Sequence, residues 1–223
     1  WEAFYSLGHM GLMRMHAFGE EIFLGHVSVG NSGNYPAAFN GPLGVMGEHP
    51  AIPYMGNAGV TWEPGTPLSC DIGFSLEGYC TDKTQIYWAG PQPSLDPEIA
   101  SAHSFCIDVQ EWMRESIKPG ILPMDIYQGC LDMAEKTGMS EGFMGLGENK
   151  VPFTGHGIGL CIDGYPAIAK GFDRPLEQGN VLALEPKQAV RGKGMVGVEN
   201  TFEVTADGCR CITGDEYDVL CLE

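Results

Sequence analysis

Residues 67–88 read PLSCDIGFSLEGYCTDKTQIYW and carry the pattern of an antiparallel β-hairpin. The first half alternates apolar residues with small or polar ones, which is typical of a strand with one buried face. A turn at residues 75–78 would place Asp71 directly opposite Asp82 on one face of the hairpin. Directly opposed Cβ atoms lie about 4.5–5.5 Å apart, and two like charges at that separation are destabilising. The stretch therefore predicts two carboxylates held close together on a sheet.

A second hairpin is predicted where residues 181–189 and 195–204 flank a turn at residues 191–194. The same symmetric pairing places Glu185 opposite Glu199, while apolar side chains line the other face. Two like charges about 4 Å apart cost about 4 kcal/mol at an effective dielectric of about 20, against a domain stability of about 5–15 kcal/mol. Divalent cations would remove this cost, and the four carboxylates balance two such ions in charge. We therefore expect a dinuclear metal site.

A short sequence pattern that occurs twice in the chain predicts how the two hairpins are arranged. The pattern E-x-G-x-x-L-x-x-acid occurs at residues 63–71 and again at residues 177–185. In both copies the final acid is the first carboxylate of a predicted pair. We therefore expect two similar halves related by a pseudo-twofold axis, with the acids meeting between the halves.

Residues 155–160 read GHGIGL and supply a fifth candidate ligand, His156. Glycines on both sides of a histidine let the backbone approach a crowded centre closely. One imidazole among several carboxylates, with no thiolate, suits Mn, Co, Fe or Zn better than a soft metal. The other histidines are interpreted as ordinary surface or core residues: His9, His16, His26, His49 and His103.

Four stretches taken together resemble the pita-bread metallopeptidases, a family that includes methionine aminopeptidase, aminopeptidase P, prolidase and creatinase. The stretches are DIGFSLEGYCTDKT (71–84), GHGIGL (155–160), LEQGNVLALEP (176–186) and VENTFEVTADG (198–208). Their order and spacing are similar to those of the proline-specific branch, and the resemblance covers most of the chain from about Gly19. It implies an α/β (α+β) pita-bread fold, in which a curved antiparallel sheet has helices on its outside.

The resemblance also implies a role for each candidate ligand. Asp71 would bind one ion, His156 and Glu185 would bind the other, and Asp82 and Glu199 would bridge both. A hydroxide between the ions would attack the carbonyl carbon of an Xaa-Pro peptide. Glu185 would relay the proton, so that Glu185 and His156 are the catalytic candidates. The implied protein is a metal-dependent hydrolase of small peptides that forms a homodimer.

Several side chains that the resemblance leads one to expect are replaced. At three positions where the resemblance leads one to expect histidine, this chain has Tyr54, Pro152 and Asp163. At two positions where it leads one to expect arginine, the chain has Gln85 and Gly197. Tyr54 and Asp163 are therefore predicted to contact the substrate. Two alternatives stay open. The same cage could act on a small amide or organic acid, as a hydrolase or a lyase, or the chain could be a binding domain without catalysis.

Composition limits the other possibilities. The 223 residues, 43% of them hydrophobic, can bury one large domain or two intimate halves. The chain opens with WEAFYSLGHMGLMRM and no initiator methionine, so we expect residues 1–223 to be the catalytic domain of a longer protein with a further N-terminal domain. A net charge of −17 argues against nucleic-acid and anionic-membrane partners. Eight cysteines without a CxxC pair favour reduced thiols and a cytoplasmic location.

Two helices are predicted between the hairpins. Asp96 followed by Pro97 is a helix start, and the apolar residues that follow recur at helical spacing until Pro119-Gly120. A second helix is predicted from about residue 123 to residue 136, before Gly138. Both apolar stripes are interpreted as core that packs on a sheet.

Overall fold

The structure, a computed structural model, describes residues 2–35, 41–47 and 60–223. The helices within these ranges are α1 (Glu2–Ser6), α2 (Pro97–Ser116) and α3 (Pro123–Thr137), with short 3-10 helices at Gly30–Asn34, Gln92–Ser94 and Gly147–Asn149. The strands are β1 (Met13–Arg14), β2 (Glu21–Ile22), β3 (Gly25–Val29), β4 (Pro67–Leu76), β5 (Tyr79–Ala89), β6 (Gly155–Gly157), β7 (Val181–Leu184), β8 (Lys187–Val190), β9 (Gly194–Gly197), β10 (Asn200–Val204), β11 (Cys209–Cys211) and β12 (Leu220–Leu222). Tyr54 lies outside the described residues.

The first hairpin forms, but its predicted register is wrong by two residues. Asp71 pairs with Thr84, and Asp82 pairs with Gly73. The cause is a tighter turn than expected, because Glu77 and Gly78 alone connect the strands, with φ of 53° and 89°. Positive φ at both residues is the signature of the two-residue turn that matches strand twist. An even shift leaves every side chain on its original face, so the two acids still share one face.

The second hairpin has the predicted register but is not one continuous ladder. β7 pairs with β10 in one sheet, and β8 pairs with β9 in another. The interruption falls at Glu185-Pro186 on one strand and at Val198-Glu199 on the other. Proline has no N–H to give to a ladder, which explains the break on its strand. Glu185 and Glu199 therefore lie in the gap between the two sheets rather than within a regular strand.

The described residues form two four-stranded sheets, of which one contains the first predicted hairpin and the other contains part of the second. Their strand orders are β12-β5-β4-β3 and β11-β10-β7-β6. They meet at an isolated bridge, where the Thr84 N–H donates to the carbonyl oxygen of Glu199 at 3.2 Å. The pairs in both sheets are antiparallel except that β12 runs parallel to β5. The candidate ligands of the first hairpin are thereby brought next to those of the second.

Both predicted helices are confirmed, and their starts and stops follow the expected chemistry. Asp96 Oδ1 accepts hydrogen bonds from the N–H groups of Glu98 and Ile99 at 2.9 and 3.3 Å. α3 ends at Gly138, whose φ is 74°. The apolar faces of α2 and α3 pack against the sheet in one cluster with residues such as Leu182, Leu184 and Val198.

The helices therefore cover one side of the second hairpin and leave its carboxylates on the other. Burial of apolar surface on the helical side contributes about 25 cal/mol per Å². That contribution holds the strands in place while like charges collect on the opposite face. None of the helices in the described residues combines the length and hydropathy that crossing a bilayer requires.

Candidate metal centre

The five candidate ligands lie together in the structure. Three overlapping groups of donor atoms each fall within 4.8 Å, and all five residues belong to at least one group. The groups are Asp71, Asp82 and Glu199; His156, Glu185 and Glu199; and Asp82, His156 and Asp163. Asp163, predicted from the sequence to contact substrate, therefore lies against the same cluster. We call the four carboxylates and His156 the carboxylate cage.

Each ligand is supplied by a different part of the fold. Asp71 and Asp82 project from β4 and β5, and His156 lies on β6 opposite Ala183 of β7. Glu185 directly follows β7 and Glu199 directly precedes β10. Five ligands from separate strand positions produce a cage that only the folded chain can form.

Glycine is required on both sides of the histidine. A Cβ at Gly155 would lie 2.5 Å from the carbonyl oxygen of Ala183, and a Cβ at Gly157 would lie 2.2 Å from that of Tyr165. Real Cβ atoms do not come so close to backbone oxygens. The glycines therefore let β6 approach its neighbours closely enough for the imidazole to reach the acids, as the sequence pattern predicts.

The imidazole of His156 presents one nitrogen to the cage. Nε2 lies 3.5 Å from Glu185 Oε1, 3.8 Å from Glu199 Oε1 and 3.4 Å from Asp163 Oδ1. The other nitrogen, Nδ1, lies 3.1 Å from the carbonyl oxygen of Gly157. A carbonyl oxygen can only accept, so this contact places a proton on Nδ1 and makes Nε2 the nitrogen that could bind a metal.

The carboxylates of Asp82, Glu185 and Glu199 are buried and that of Asp71 is half-buried, and burial disfavours their charged forms. Burial together with nearby Glu199 raises the pKa of Asp71 to about 7. Burial and the neighbouring acids also raise the pKa values of Asp82 and Glu185 well above their ordinary values. Burial alone would raise the pKa of Glu199, but Lys187 and His156 lower it below its ordinary value. The pKa of His156 moves well above its ordinary value, because the surrounding carboxylates outweigh its burial.

This environment fits divalent cations. Buried carboxylates are expensive to ionise unless they are paired or coordinate metals. Oxygen donors with one imidazole form a hard donor set that suits divalent first-row metals. The residues present therefore match a metal centre in both their donor chemistry and their electrostatics.

Two contacts of Glu199 were missed by the sequence interpretation. Lys187 is fully buried, at 0% exposed, and its Nζ lies 2.8 Å from Glu199 Oε2 and 3.8 Å from Glu185 Oε2. The Thr84 hydroxyl donates to the same Glu199 Oε2 at 3.1 Å. The sequence held a signal for Lys187, because the predicted strand over residues 181–189 places it on the same face as Glu185, two positions earlier.

Two histidines interpreted as ordinary residues also belong to this region. His26 pairs with Asp71 across β3 and β4 and lines a cavity of about 50 Å³ together with the cage carboxylates. Burial and the nearby Lys187 lower the pKa of His26 to about 4. His16 lines an adjoining cavity of about 290 Å³. Both cavities share Asp163 and His156, so the larger one opens directly onto the cage.

Sequence comparison places these features in a known family. Residues 6–206 match metallopeptidase family M24. A putative dipeptidase, YkvY, of Bacillus subtilis is 27% identical over 178 residues, which are 80% of this chain and 46% of that protein. An Xaa-Pro dipeptidase of Lactobacillus helveticus is 28% identical over 173 residues, 78% of this chain and 44% of that protein. The chain thus spans a little under half the length of these curated relatives.

Solved structures share the fold. An X-Pro aminopeptidase from Thermotoga maritima has a TM-score of 0.76 at 22% identity, covering 98% of this chain and 51% of that one. An Xaa-Pro dipeptidase from Bacillus anthracis has a TM-score of 0.75 at 23% identity, again covering 98% and 51%. The expected pita-bread fold is therefore confirmed. With the match extending over residues 6–206, this chain belongs to metallopeptidase family M24.

Proposed function

We propose that this chain carries the catalytic centre of an Xaa-Pro peptidase that hydrolyses small peptides with two divalent metal ions. The observation that supports this most is the convergence of one buried imidazole, three buried carboxylates and the half-buried carboxylate of Asp71. Relatives named as Xaa-Pro dipeptidases agree with it. We further propose that residues 1–223 form the catalytic domain of a longer, cytoplasmic, homodimeric protein.

The proposed ligand roles are those that the resemblance implies, and the overlap of the donor groups at Asp82 and Glu199 supports them. Asp71 would hold one ion, His156 and Glu185 the other, and Asp82 and Glu199 both. Two divalent ions in this cage would supply an activated water and a polarised substrate carbonyl. Mn, Co, Fe or Zn would suit the donors. Glu185 would accept the proton at its carboxylate, and His156 would keep Nε2 facing the reacting group through the contact of its Nδ1 with Gly157.

Asp163 is the proposed substrate-positioning residue. Its carboxylate lies 3.4 Å from His156 Nε2 and belongs to the walls of both cavities. A peptide whose scissile bond lies at the cage would extend past Asp163 into the larger cavity. Tyr54 stays a proposed second contact to the substrate.

The identity of residue 163 supports a second candidate function, in which the substrate is not a peptide. The resemblance leads one to expect a histidine here, and an acid changes which substrate groups can be bound and protonated. The same cage could then act on a small amide or an organic acid. A purely structural role is disfavoured, since the buried ammonium of Lys187 balances only one of the four carboxylates and the uncompensated charge is destabilising.

The test combines metal analysis with a substrate panel. Protein loaded with Mn²⁺ or Co²⁺ should cleave Xaa-Pro dipeptides or longer Xaa-Pro peptides, and Asp82→Ala should abolish turnover. Asp108→Ala, which alters an exposed acid on α2, is the matched control and should keep activity. Hydrolysis of non-peptide amides alone would favour the second candidate. Metal-loaded protein that cleaves no member of the panel would rule out the peptidase.

A further inference from the structure

The protein itself places one positive charge, the ammonium of Lys187, against the carboxylate cage. Lys187 is 0% exposed, and its ammonium contacts oxygens of Glu199 and Glu185. A lysine is almost never fully buried unless it is paired. Its position is therefore a specific feature of this site, and the proposed peptidase chemistry does not use it.

The fold makes room for this side chain. Lys187 pairs with Gly197 across β8 and β9. A Cβ at Gly197 would lie 2.8 Å from the Cα and 3.1 Å from the Cδ of Lys187. Gly197 also has a φ of 144°, a conformation that L side chains rarely adopt. The glycine lets the aliphatic stem of Lys187 cross the facing strand and reach the acids.

The ammonium fixes one oxygen of Glu199. Oε2 accepts hydrogen bonds from Lys187 Nζ at 2.8 Å and from Thr84 Oγ1 at 3.1 Å. Oε1 points the other way, 3.8 Å from His156 Nε2. Glu199 belongs to two of the three donor groups that could each hold an ion. A carboxylate with one oxygen engaged by an ammonium has less negative charge to give a second ion.

We propose that Lys187 is a positioning residue that holds Glu199 and acts as a resident cation of the cage, so that its ammonium weakens the binding of a second divalent ion. The ammonium balances one carboxylate charge whether or not metal is bound. It therefore keeps the cage assembled in the metal-free protein. The proposal rests on the proposed metal centre but does not depend on which substrate is cleaved.

The experiment measures metal binding rather than turnover. Wild type, Lys187→Met and Lys187→Arg are equilibrated with Mn²⁺ at pH 8, and bound metal per chain is measured at increasing free Mn²⁺. Methionine keeps the unbranched stem and removes the charge. Lys83→Met is the matched control, because Lys83 lies on neighbouring β5 but its Nζ bonds to Asn200 Oδ1 at 2.7 Å instead of to a cage acid.

Removing the ammonium should tighten binding of the second ion by about tenfold or more, since one unit charge close to the cage is lost. The melting temperature of the metal-free protein should fall in Lys187→Met. Lys187→Arg should restore both properties, and Lys83→Met should leave the Mn²⁺ affinity unchanged. Unchanged affinity for the second ion in Lys187→Met overturns the proposal, and so does weaker binding of both ions.

A folding defect does not remove the test. If Lys187→Met folds only in the presence of Mn²⁺, chelator is added to the Mn²⁺-loaded protein. The rate at which Lys187→Met loses its second ion is then compared with the rate for Lys187→Arg. Slower loss from Lys187→Met supports the proposal, and equal or faster loss overturns it. Absence of bound metal in every variant, wild type included, would instead reject the metal centre and the peptidase function together.

Discussion

Asp71→Asn should stabilise the metal-free protein at pH 8, and metal should reduce that advantage. Burial and Glu199 raise the pKa of Asp71 from 3.8 to about 7. One pKa unit corresponds to about 1.4 kcal/mol, so ionised Asp71 destabilises the metal-free folded state by about 4 kcal/mol at pH 8. Asparagine resembles the protonated acid in shape and carries no charge. It should therefore recover much of that free energy.

The pH dependence follows from the sign of the shift. The folded-state pKa is raised, so the stabilising contribution of Asp71 is fully present below pH 3.8 and is lost as pH rises through about 7. The advantage of Asp71→Asn should therefore be about 4 kcal/mol at pH 8 and less than about 2 kcal/mol at pH 5. For a chain of this size, about 4 kcal/mol raises the melting temperature by roughly 8–16 °C.

Metal should reduce the stability advantage of Asp71→Asn over wild type. Mn²⁺ at about 1,000 times its dissociation constant stabilises a protein that binds it by about 4 kcal/mol. Asp71→Asn lacks one proposed ligand and should gain less. Melting curves of wild type, Asp71→Asn and the exposed control Asp108→Asn are compared at pH 5 and pH 8, with chelator and with Mn²⁺. A variant less stable than wild type at pH 8 in chelator would refute the reasoning, as would an advantage equal at both pH values.

Two further substitutions separate the site from the core. Asp163→Asn should lower kcat/KM on Xaa-Pro peptides by about 100-fold, as expected when a group that positions the substrate is lost, with metal content unchanged. Asp132→Asn on α3 is its control, and unchanged kinetics would exclude a role for Asp163. Leu182→Ala, at a fully buried core position, should cost about 2–5 kcal/mol in denaturant unfolding without altering the number of metals bound. Leu220→Ala, 38% exposed, should change stability by less than about 0.5 kcal/mol, and an equal loss in both variants would contradict the packing argument.

Local patterns in the sequence were sufficient to predict the two long helices and to predict which residues lie together in the carboxylate cage. Asp96-Pro97 and Gly138 act through capping and backbone conformation, which depend on few neighbours. The grouping of acids on one face depends only on the alternation of side chains along a strand. It survived the error in the first register because that error was an even number of residues.

The features that were missed depend on tertiary context. The two-residue turn at Glu77-Gly78 and the longer turn expected at residues 75–78 both keep the alternation of apolar and polar side chains along the strands. That alternation alone therefore could not distinguish the two turns. The ladder break at Pro186 follows from its missing N–H, but which sheet each half joins is decided by packing. Lys187 carries a charge that favours solvent in isolation, and it is buried only because the acids around it are buried too. His16 and His26 reach the cavities from strands and loops distant in the chain.

The bridge between Thr84 and Glu199 joins the two four-stranded sheets at the level of the cage. Asp71 and Asp82 belong to one sheet, and His156, Glu185 and Glu199 adjoin the other. Neither half of the chain on its own could therefore reconstitute the complete donor set. Any ion that binds donors from both halves would also hold the two halves together. The bonds between the ions and the cage would then determine both the chemistry of the centre and the resistance of the molecule to being pulled apart.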